Sequence, residues 1–348
     1  MVTIKEIAKK AEVSIATVSN VLNGRTDRMS KETLSRVETA VVDLGYRPNR
    51  AAQQLKTGHS QLLGLLVPSI GNPSYAVLAR EIETFAQEQY GYRLIVGNTY
   101  RDPNEERVFL DDLGSHGVRG VIIVASGTRN DQFEEAIRRG LVAVSFDTRA
   151  PTDINPVMDH VTVDNVAAAR LAVEHLAAYG HRVVAFLKPS SQTQSRIEKQ
   201  SGFLATAADA GIRGIVIEGE PASVHADAEL AELGQSLAQR VIDHPDRPTG
   251  VLTVNDIMAL GVMAGLRDQG LSIPDDISVI GMDALPLTAY AAPPLTSVKQ
   301  PLVEMARLMV RRVIIRNTSP GVRPEEFRFT PTLVIRASVA RSPRSAQV

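Results

Sequence analysis

Residues 2–24 read VTIKEIAKKAEVSIATVSNVLNG, and they set three local signals in a row. Thr3 and Glu6 form the S/T-x-x-E capping box, with Val2 and Ile7 spaced as a hydrophobic staple, so a helix begins at Ile4. Ser14 is placed to cap a second helix over 15–23, with Gly24 free to end it. Further on, Ser30 caps a third helix between the staple pair Met29 and Leu34, and Gly45 stops it. Ile4, Ile7, Ala8, Val13, Val18, Val21, Leu22, Leu34 and Val37 then make a small three-helix core. The second helix turns Ile15, Ala16, Ser19, Asn20 and Asn23 outward. That face carries neither Lys nor Glu, unusual for a solvated helix and suited to a major groove, where short side chains reach base edges.

Working outward, PNRAAQQLKTG at 48–58 starts on a proline that cannot continue the preceding helix. Ala51, Ala52 and Leu55 lie on one stripe of a segment too short to be helical alone, since helices below about 12 to 15 residues are marginal in water. Packed against a twin segment in a minor groove, its alanines allow close approach and Leu55 is a wedge between base pairs. Charge agrees with a polyanion partner for this end only. Residues 1–60 hold ten Lys and Arg against six Asp and Glu, whereas the remainder holds 28 against 33.

Beyond residue 60 the pattern changes to short apolar strands alternating with amphipathic helices, the signature of parallel α/β sheets. The first round runs LLGLLVP, YRLIVGN, GVIIVA, LVAVSF; HVTVDN opens a second with RVVAFL, GIVIEG, GVLTV and ISVIGM. Two rounds predict two Rossmann-like lobes, with ligands taken at the carboxyl ends of their strands. Those ends carry Asn72-Pro73-Ser74-Tyr75, Asp147, Asp164, the loop PSSQTQSR, Asn255 with Asp256, and Asp283. Carboxylates and amides of this kind fork onto vicinal hydroxyls, pointing to a sugar-like ligand. Asp164, Asn255 and Asp256 also read as ordinary helix caps.

Composition limits the other classes. The chain has no cysteine, so no disulfide, thiolate zinc site or cysteine nucleophile, and its seven histidines are scattered without a metal-ligand spacing. No metal and no cofactor are expected. Neither a signal peptide's apolar core nor a run long enough to span a membrane is present, which points to the cytoplasm. No G-x-G-x-x-G or phosphate-binding loop follows a strand, which disfavours a nucleotide-dependent enzyme. A transport-type solute-binding protein would share the lobes but not the capped helical head.

VTIKEIAKKAEVSIATVSNVLNG followed by SKETLSRVETAVVDLGYRPNRAAQQLKTG resembles the DNA-binding head of the LacI/GalR repressor family. The blocks LLGLLVPSIGNPSYAVLAREIE, RPTGVLTVNDIMALGVM, IPDDISVIGMDALP, PPLTSVKQP and PTLVIRASVA extend the resemblance over the body, which is also similar to periplasmic sugar-binding proteins. The resemblance implies a helix-turn-helix head at 1–47, a hinge helix and linker at 48–60, and an effector-binding and dimerisation body at 61–340, with a tail at 341–348. Lobe 1 is placed at about 61–160 plus 293–322, lobe 2 at about 162–290 plus 323–340, the chain crossing three times. It assigns base reading to Ile15, Ala16 and Asn20. Other DNA contacts fall to Thr3, Ser14, Thr17, Ser19, Asn23, Tyr46, Asn49, Arg50, Ala52 and Leu55. Effector contacts fall to Ser74, Tyr75, Asp147, Asp164, Lys199, Asn255 and Asp283. The implied function is a ligand-responsive repressor, a homodimer on a pseudo-palindromic operator, with a sugar or sugar derivative as effector; a non-sugar metabolite or nucleobase is the alternative. The tail has no leucine heptads for a coiled-coil tetramer. Two departures stand out. Glu12 replaces the glycine common in the turn between the first helices, and Lys199 replaces an arginine, losing bidentate geometry.

Overall fold

A computed structural model of the chain describes residues 2–22, 25–26, 29–46, 60–124, 131–150, 156–220 and 229–343, and gives no side-chain surroundings for 131 and 132. Two compact units emerge, Met1–Ser60 and Gln61–Val348. The expected hinge at 48–58 lies outside the described residues.

In the first unit, α1 (Ile4–Lys10), α2 (Ile15–Leu22) and α3 (Lys31–Asp43) form the head. The capping box is complete: the Glu6 amide donates to Thr3 Oγ1 at 3.4 Å and the Thr3 amide donates to Glu6 Oε2 at 2.7 Å. That hydrogen bond, with a second from the Thr3 hydroxyl, holds the Glu6 carboxyl below the usual range. Ser14 Oγ accepts from the Thr17 amide at 3.0 Å and Ser30 Oγ from the Thr33 amide at 3.2 Å, so all three helices start on the expected caps. Ile7, Ala8, Ala11, Val18, Val37 and Ala40 are buried together, ringed by Val2, Ile4, Val13, Val21 and Leu22. Leu34, expected in this core, is half-buried.

The second unit contains two six-stranded sheets. The first unites β1 (Leu62–Val67), β2 (Arg93–Asn98), β3 (Gly120–Val124), β4 (Val142–Phe146), β5 (Asp159–Val163) and β11 (Glu326–Phe329) in the order β11-β5-β4-β3-β1-β2. All its pairings are parallel. The second unites β6 (Val183–Pro189), β7 (Arg213–Gly219), β8 (Gly250–Thr253), β9 (Ser278–Asp283), β10 (Thr296–Lys299) and β12 (Thr332–Val334) in the order β12-β10-β9-β8-β6-β7. Only β12 runs antiparallel to its neighbour. Five strands of each sheet thus repeat the doubly wound order 2-1-3-4-5, whose strand order reverses beside the first strand of each round.

Helices cover the sheets: α4 (Pro73–Tyr90), α5 (Pro103–Ser115), α6 (Asp131–Arg138) and α11 (Leu302–Thr318) on the first, and α7 (Asn165–Ala178), α8 (Gln194–Asp209), α9 (Leu230–Ile242) and α10 (Asp256–Asp268) on the second. Met305, Met309, Val310 and Val313 of α11 enter the first lobe's core beside Leu63, Leu65 and Ile122. Asp159 pins this helix: its fully buried carboxylate meets Arg312 at 2.8 Å and Arg316 at 2.9 Å, and accepts from the Glu325 amide at 3.0 Å.

Three lobe boundaries differ from expectation. The HVTVDN strand does not open the second lobe; as β5 it pairs with β4 and closes the first sheet's main run, so the chain crosses at Asp164. β10, expected in lobe 1, pairs with β9 in the second sheet, so the next crossing falls between β10 and α11. β11, expected in lobe 2, pairs with β5 in the first sheet, and the last crossing lies between β11 and β12. In each case hydrogen bonding to the neighbouring strand decides the lobe, and sequence distance to the neighbouring block does not.

Candidate functional site

In the head, Ile15 is 46% exposed and Ala16 and Asn20 are exposed beside it, while Val18 is buried. This leaves a surface of one apolar, one methyl-sized and one amide side chain at the start of α2. Ser14 and Thr17, expected at phosphates, are hydrogen-bonded to each other at 2.9 Å between hydroxyls, and Thr3 is held in its capping box. Ser19 is half-buried, as is Tyr46, which packs against the head's core. Asn23, Asn49, Arg50, Ala52 and Leu55 lie outside the described residues.

In the second unit, the carboxyl ends of strands from both sheets face one cavity. Ser74, Tyr75, Asp147, Lys199, Asn255 and Asp283 all line it. Asp164 does not: its Oδ1 accepts from the Ala167 amide at 2.9 Å as the cap of α7, the plainer of the two readings open to it. Asn255 does both, capping α10 through the Met258 amide at 2.9 Å while lining the cavity. Asp256 is fully buried beneath the wall, where its carboxylate accepts from the Leu285 amide at 2.7 Å and from the Ser297 hydroxyl.

Asn72, from the first strand end, and Thr193, Ser195 and Arg196, from the PSSQTQSR stretch, line the cavity too, while Arg101, Phe146 and Gln300 escaped the strand-end reading. Arg196 sits inside PSSQTQSR, read from sequence as loop. Thr193 instead caps α8 and starts it at Gln194, three residues earlier than the expected 197, turning Ser195, Arg196 and Lys199 to the cavity. Gln300 follows β10, whose lobe was misassigned, and Arg101 follows β2 in a left-handed turn. The detectable signal was their position just past a strand end.

Electrostatics single out Asp283. Its carboxyl is pushed up to about 8 by burial and by nearby Asp256 and Asp147, against the opposing pull of Lys199 and of a 2.8 Å hydrogen bond donated by Gln300 Nε2. Asp256 is pushed up to about 6, chiefly by burial. The other carboxamide atom, Gln300 Oε1, is buried without a hydrogen-bond partner. Lys199 is 6% exposed and donates to the Val254 carbonyl at 3.2 Å. Arg101, Asp147 and Asp283 hold φ of 62°, 63° and 139°, so three of the seven described non-glycine residues with positive φ line this one cavity. Held backbone strain of this kind clusters at ligand clamps. Asp147 Oδ1 accepts from Asn165 Nδ2 at 3.3 Å, tying the first lobe's wall to the first helix of the second. Among the described residues no group of three or more His, Asp or Glu is placed to hold a metal, and no helix is long and apolar enough to cross a membrane.

Comparison with known proteins agrees with this division. Residues 3–49 match the bacterial regulatory proteins, lacI family, and residues 173–339 match the periplasmic binding protein-like domain. The ribose operon repressor of Escherichia coli (strain K12) is 32% identical over 340 residues, 97% of this chain and 100% of that protein. Among solved structures, the lac repressor dimer bound to operator and the anti-inducer ONPF has a TM-score of 0.80 at 27% identity, covering 97% of this chain and 99% of that one. A LacI family transcriptional regulator from Enterococcus faecium with bound ribose has a TM-score of 0.70 at 27% identity, covering 80% of this chain and 99% of that one. With a family-matching head, a matching body and a full-length relative of this similarity, the chain belongs to the LacI family of transcriptional regulators.

Proposed function

We propose that the chain is a dimeric, cytoplasmic repressor that binds a pseudo-palindromic operator and changes its affinity for it when a small carbohydrate-like effector fills the inter-lobe cavity. The observation that carries the reading is the pairing, on one chain, of an uncharged exposed helix face with a cavity lined from two sheets. Ile15, Ala16 and Asn20 read base edges; Thr3, Ser14, Thr17, Ser19, Asn23 and Tyr46 hold the backbone or adjacent edges. Asn49, Arg50, Ala52 and Leu55 enter the minor groove in the hinge. Ser74, Tyr75, Asp147, Lys199, Asn255 and Asp283 contact the effector, joined by Arg101, Arg196 and Gln300. The repressor named for ribose and the ribose-bound relative support a carbohydrate-like ligand.

A ligand gripped by both lobes favours one relation between them, and such coupling is typically worth about 1–3 kcal/mol. The effector leaves unchanged: the cavity acids Asp147 and Asp283 are held by the side-chain amides of Asn165 and Gln300, and the chain acts by binding rather than turnover. Selection of duplexes from a random pool by the full-length protein tests the reading. A two-fold symmetric consensus is expected, with Asn20→Ala relaxing preference at one position per half-site and costing about 1–3 kcal/mol. Recovery of duplexes with no shared sequence would overturn it.

A further inference from the structure

We propose that Arg149 and Glu198 are positioning residues of the effector response: their ion pair latches the two lobes together, and Arg149 exchanges between Glu198 of the second lobe and Glu326 of the first as the cavity closes and opens. The proposal rests on reading the inter-lobe cavity as the effector site. Arg149 follows β4 in the first lobe, and its Nη1 donates to Glu198 Oε1, on α8 of the second, at 3.3 Å. Its Nε lies 3.6 Å from Glu326 Oε1 on β11, an ion-pair distance too long for a hydrogen bond. One guanidinium thus stands between two carboxylates, one from each lobe, and donates to the one across the boundary.

Neither carboxylate depends on Arg149 alone. Glu198 also accepts from Gln194 Nε2 at 3.2 Å and from Asn165 Nδ2 at 3.1 Å, both on its own lobe. Glu326 accepts from the Ala150 amide at 2.9 Å and lies 3.4 Å from Arg328, again on its own lobe. Separating the lobes therefore breaks the Arg149–Glu198 bond without stranding a charge, the outcome that would make the break costly. An element with two partnered arrangements is bistable, and a small bias moves it.

The bias reaches it through Asn165. This residue is 1% exposed, opens α7 just past the first crossing, and offers Nδ2 to Asp147 Oδ1 at 3.3 Å as well as to Glu198. Its Oδ1 is buried without a hydrogen-bond partner, and turning the amide over would set that oxygen against two carboxylates. Asp147 and Glu198 together therefore fix the direction of the amide. Asp147 lines the cavity two residues before Arg149, in a left-handed conformation. A ligand hydroxyl donated to Asp147 changes its claim on Asn165, hence what Asn165 offers Glu198, and with it Glu198's hold on Arg149.

The test needs neither effector nor operator. The chain has no cysteine, so Gln89→Cys and Asp209→Cys, at exposed helix ends of the first and second lobe, take one spin label each. Full-length labelled chain is diluted into excess unlabelled chain, and double electron–electron resonance reads the distances between the lobes. Two distances are expected, with weights that shift with salt because the pair is partly exposed, Arg149 by 44% and Glu198 by 11%. Arg149→Gln and Glu198→Gln are expected to move the weights as added salt does, by about two- to fivefold in their ratio, the scale of a partly exposed pair. Glu326→Gln, which frees Arg149 for the second lobe, should move them the opposite way. A role in folding alone predicts no such opposition of sign, and circular dichroism checks that each variant is folded. Unchanged weights in Arg149→Gln and Glu198→Gln, a Glu326→Gln shift in their direction, or weights in the otherwise unmutated chain that ignore salt would each overturn the proposal. Any of these leaves the effector site standing, and the operator selection separately decides the reading of the head.

Discussion

Glu12 closes the turn between α1 and α2 with φ of 53°, a conformation in which a non-glycine side chain costs roughly 1 kcal/mol. Its side chain is exposed, so no side-chain packing offsets that cost. Glu12→Gly is expected to stabilise the head by about that amount, read as a higher denaturant midpoint for its unfolding at unchanged slope. Asp283 gives the opposite kind of residue, one whose cost depends on pH. Its folded-state carboxyl sits near 8, above the 3.8 of an unperturbed group, so the folded chain holds a proton that the unfolded chain has released. Its contribution is therefore full below about pH 4 and is lost as pH climbs toward 8. Asp283→Asn keeps an acceptor for Gln300 and removes the ionisation. The Tm of the variant relative to the unmutated protein is expected to rise between pH 5 and pH 8; a difference that stays flat would refute the buried neutral carboxyl. Asp256, pushed up in the same direction, leaves a smaller slope behind.

At the scale of elements, α9 and α10 pack with backbone against backbone because glycines remove the intervening side chains. A Cβ on Gly261 would stand 1.8 Å from the Ala231 carbonyl oxygen, and one on Gly234 would stand 2.3 Å from that of Met258. Neither neighbour is a side-chain tip that can swing away. Gly261→Ala is expected to destabilise the second lobe by about 1–3 kcal/mol, the range for overpacking, despite alanine's better helix propensity. Thermal unfolding against the unmutated protein checks the sign. Most elements were legible in sequence because caps and apolar periodicity are local: Thr3, Ser30, Asn255 and Gly45 sit where they were expected. The site was legible in part for the same reason. Of the seven expected effector residues six line the cavity, five of them reached from strand ends and Lys199 from the family resemblance, while Asp164 is spent on its cap. Arg196 was hidden because the start of α8 depends on which of several polar residues in PSSQTQSR caps it, and several there are chemically competent. The lobe of β10 and β11 was hidden more deeply, since pairing partners are chosen across the molecule and leave no mark in the strand itself.

At the scale of the whole molecule, the short alanine-rich segment ahead of the body remains a sequence-based proposal. Leu55→Ala is expected to weaken specific operator binding at least tenfold in a gel-shift titration while leaving effector affinity nearly unchanged; equal operator affinity would remove the hinge role. The three crossings have a consequence of another kind, for synthesis. The first lobe begins at β1 with Leu62 and has its first five strands by Val163, yet its remaining strand ends at Phe329 and the helix that fills its core spans Leu302–Thr318. At about 5–20 residues per second, the interval between those two strands is roughly ten to thirty seconds of translation. The second lobe's five parallel strands are complete at Lys299, before that helix exists. The lobe that is started first on the ribosome is therefore finished after the parallel core of the other, and until then it shows the nascent chain an apolar sheet face and an unpaired edge.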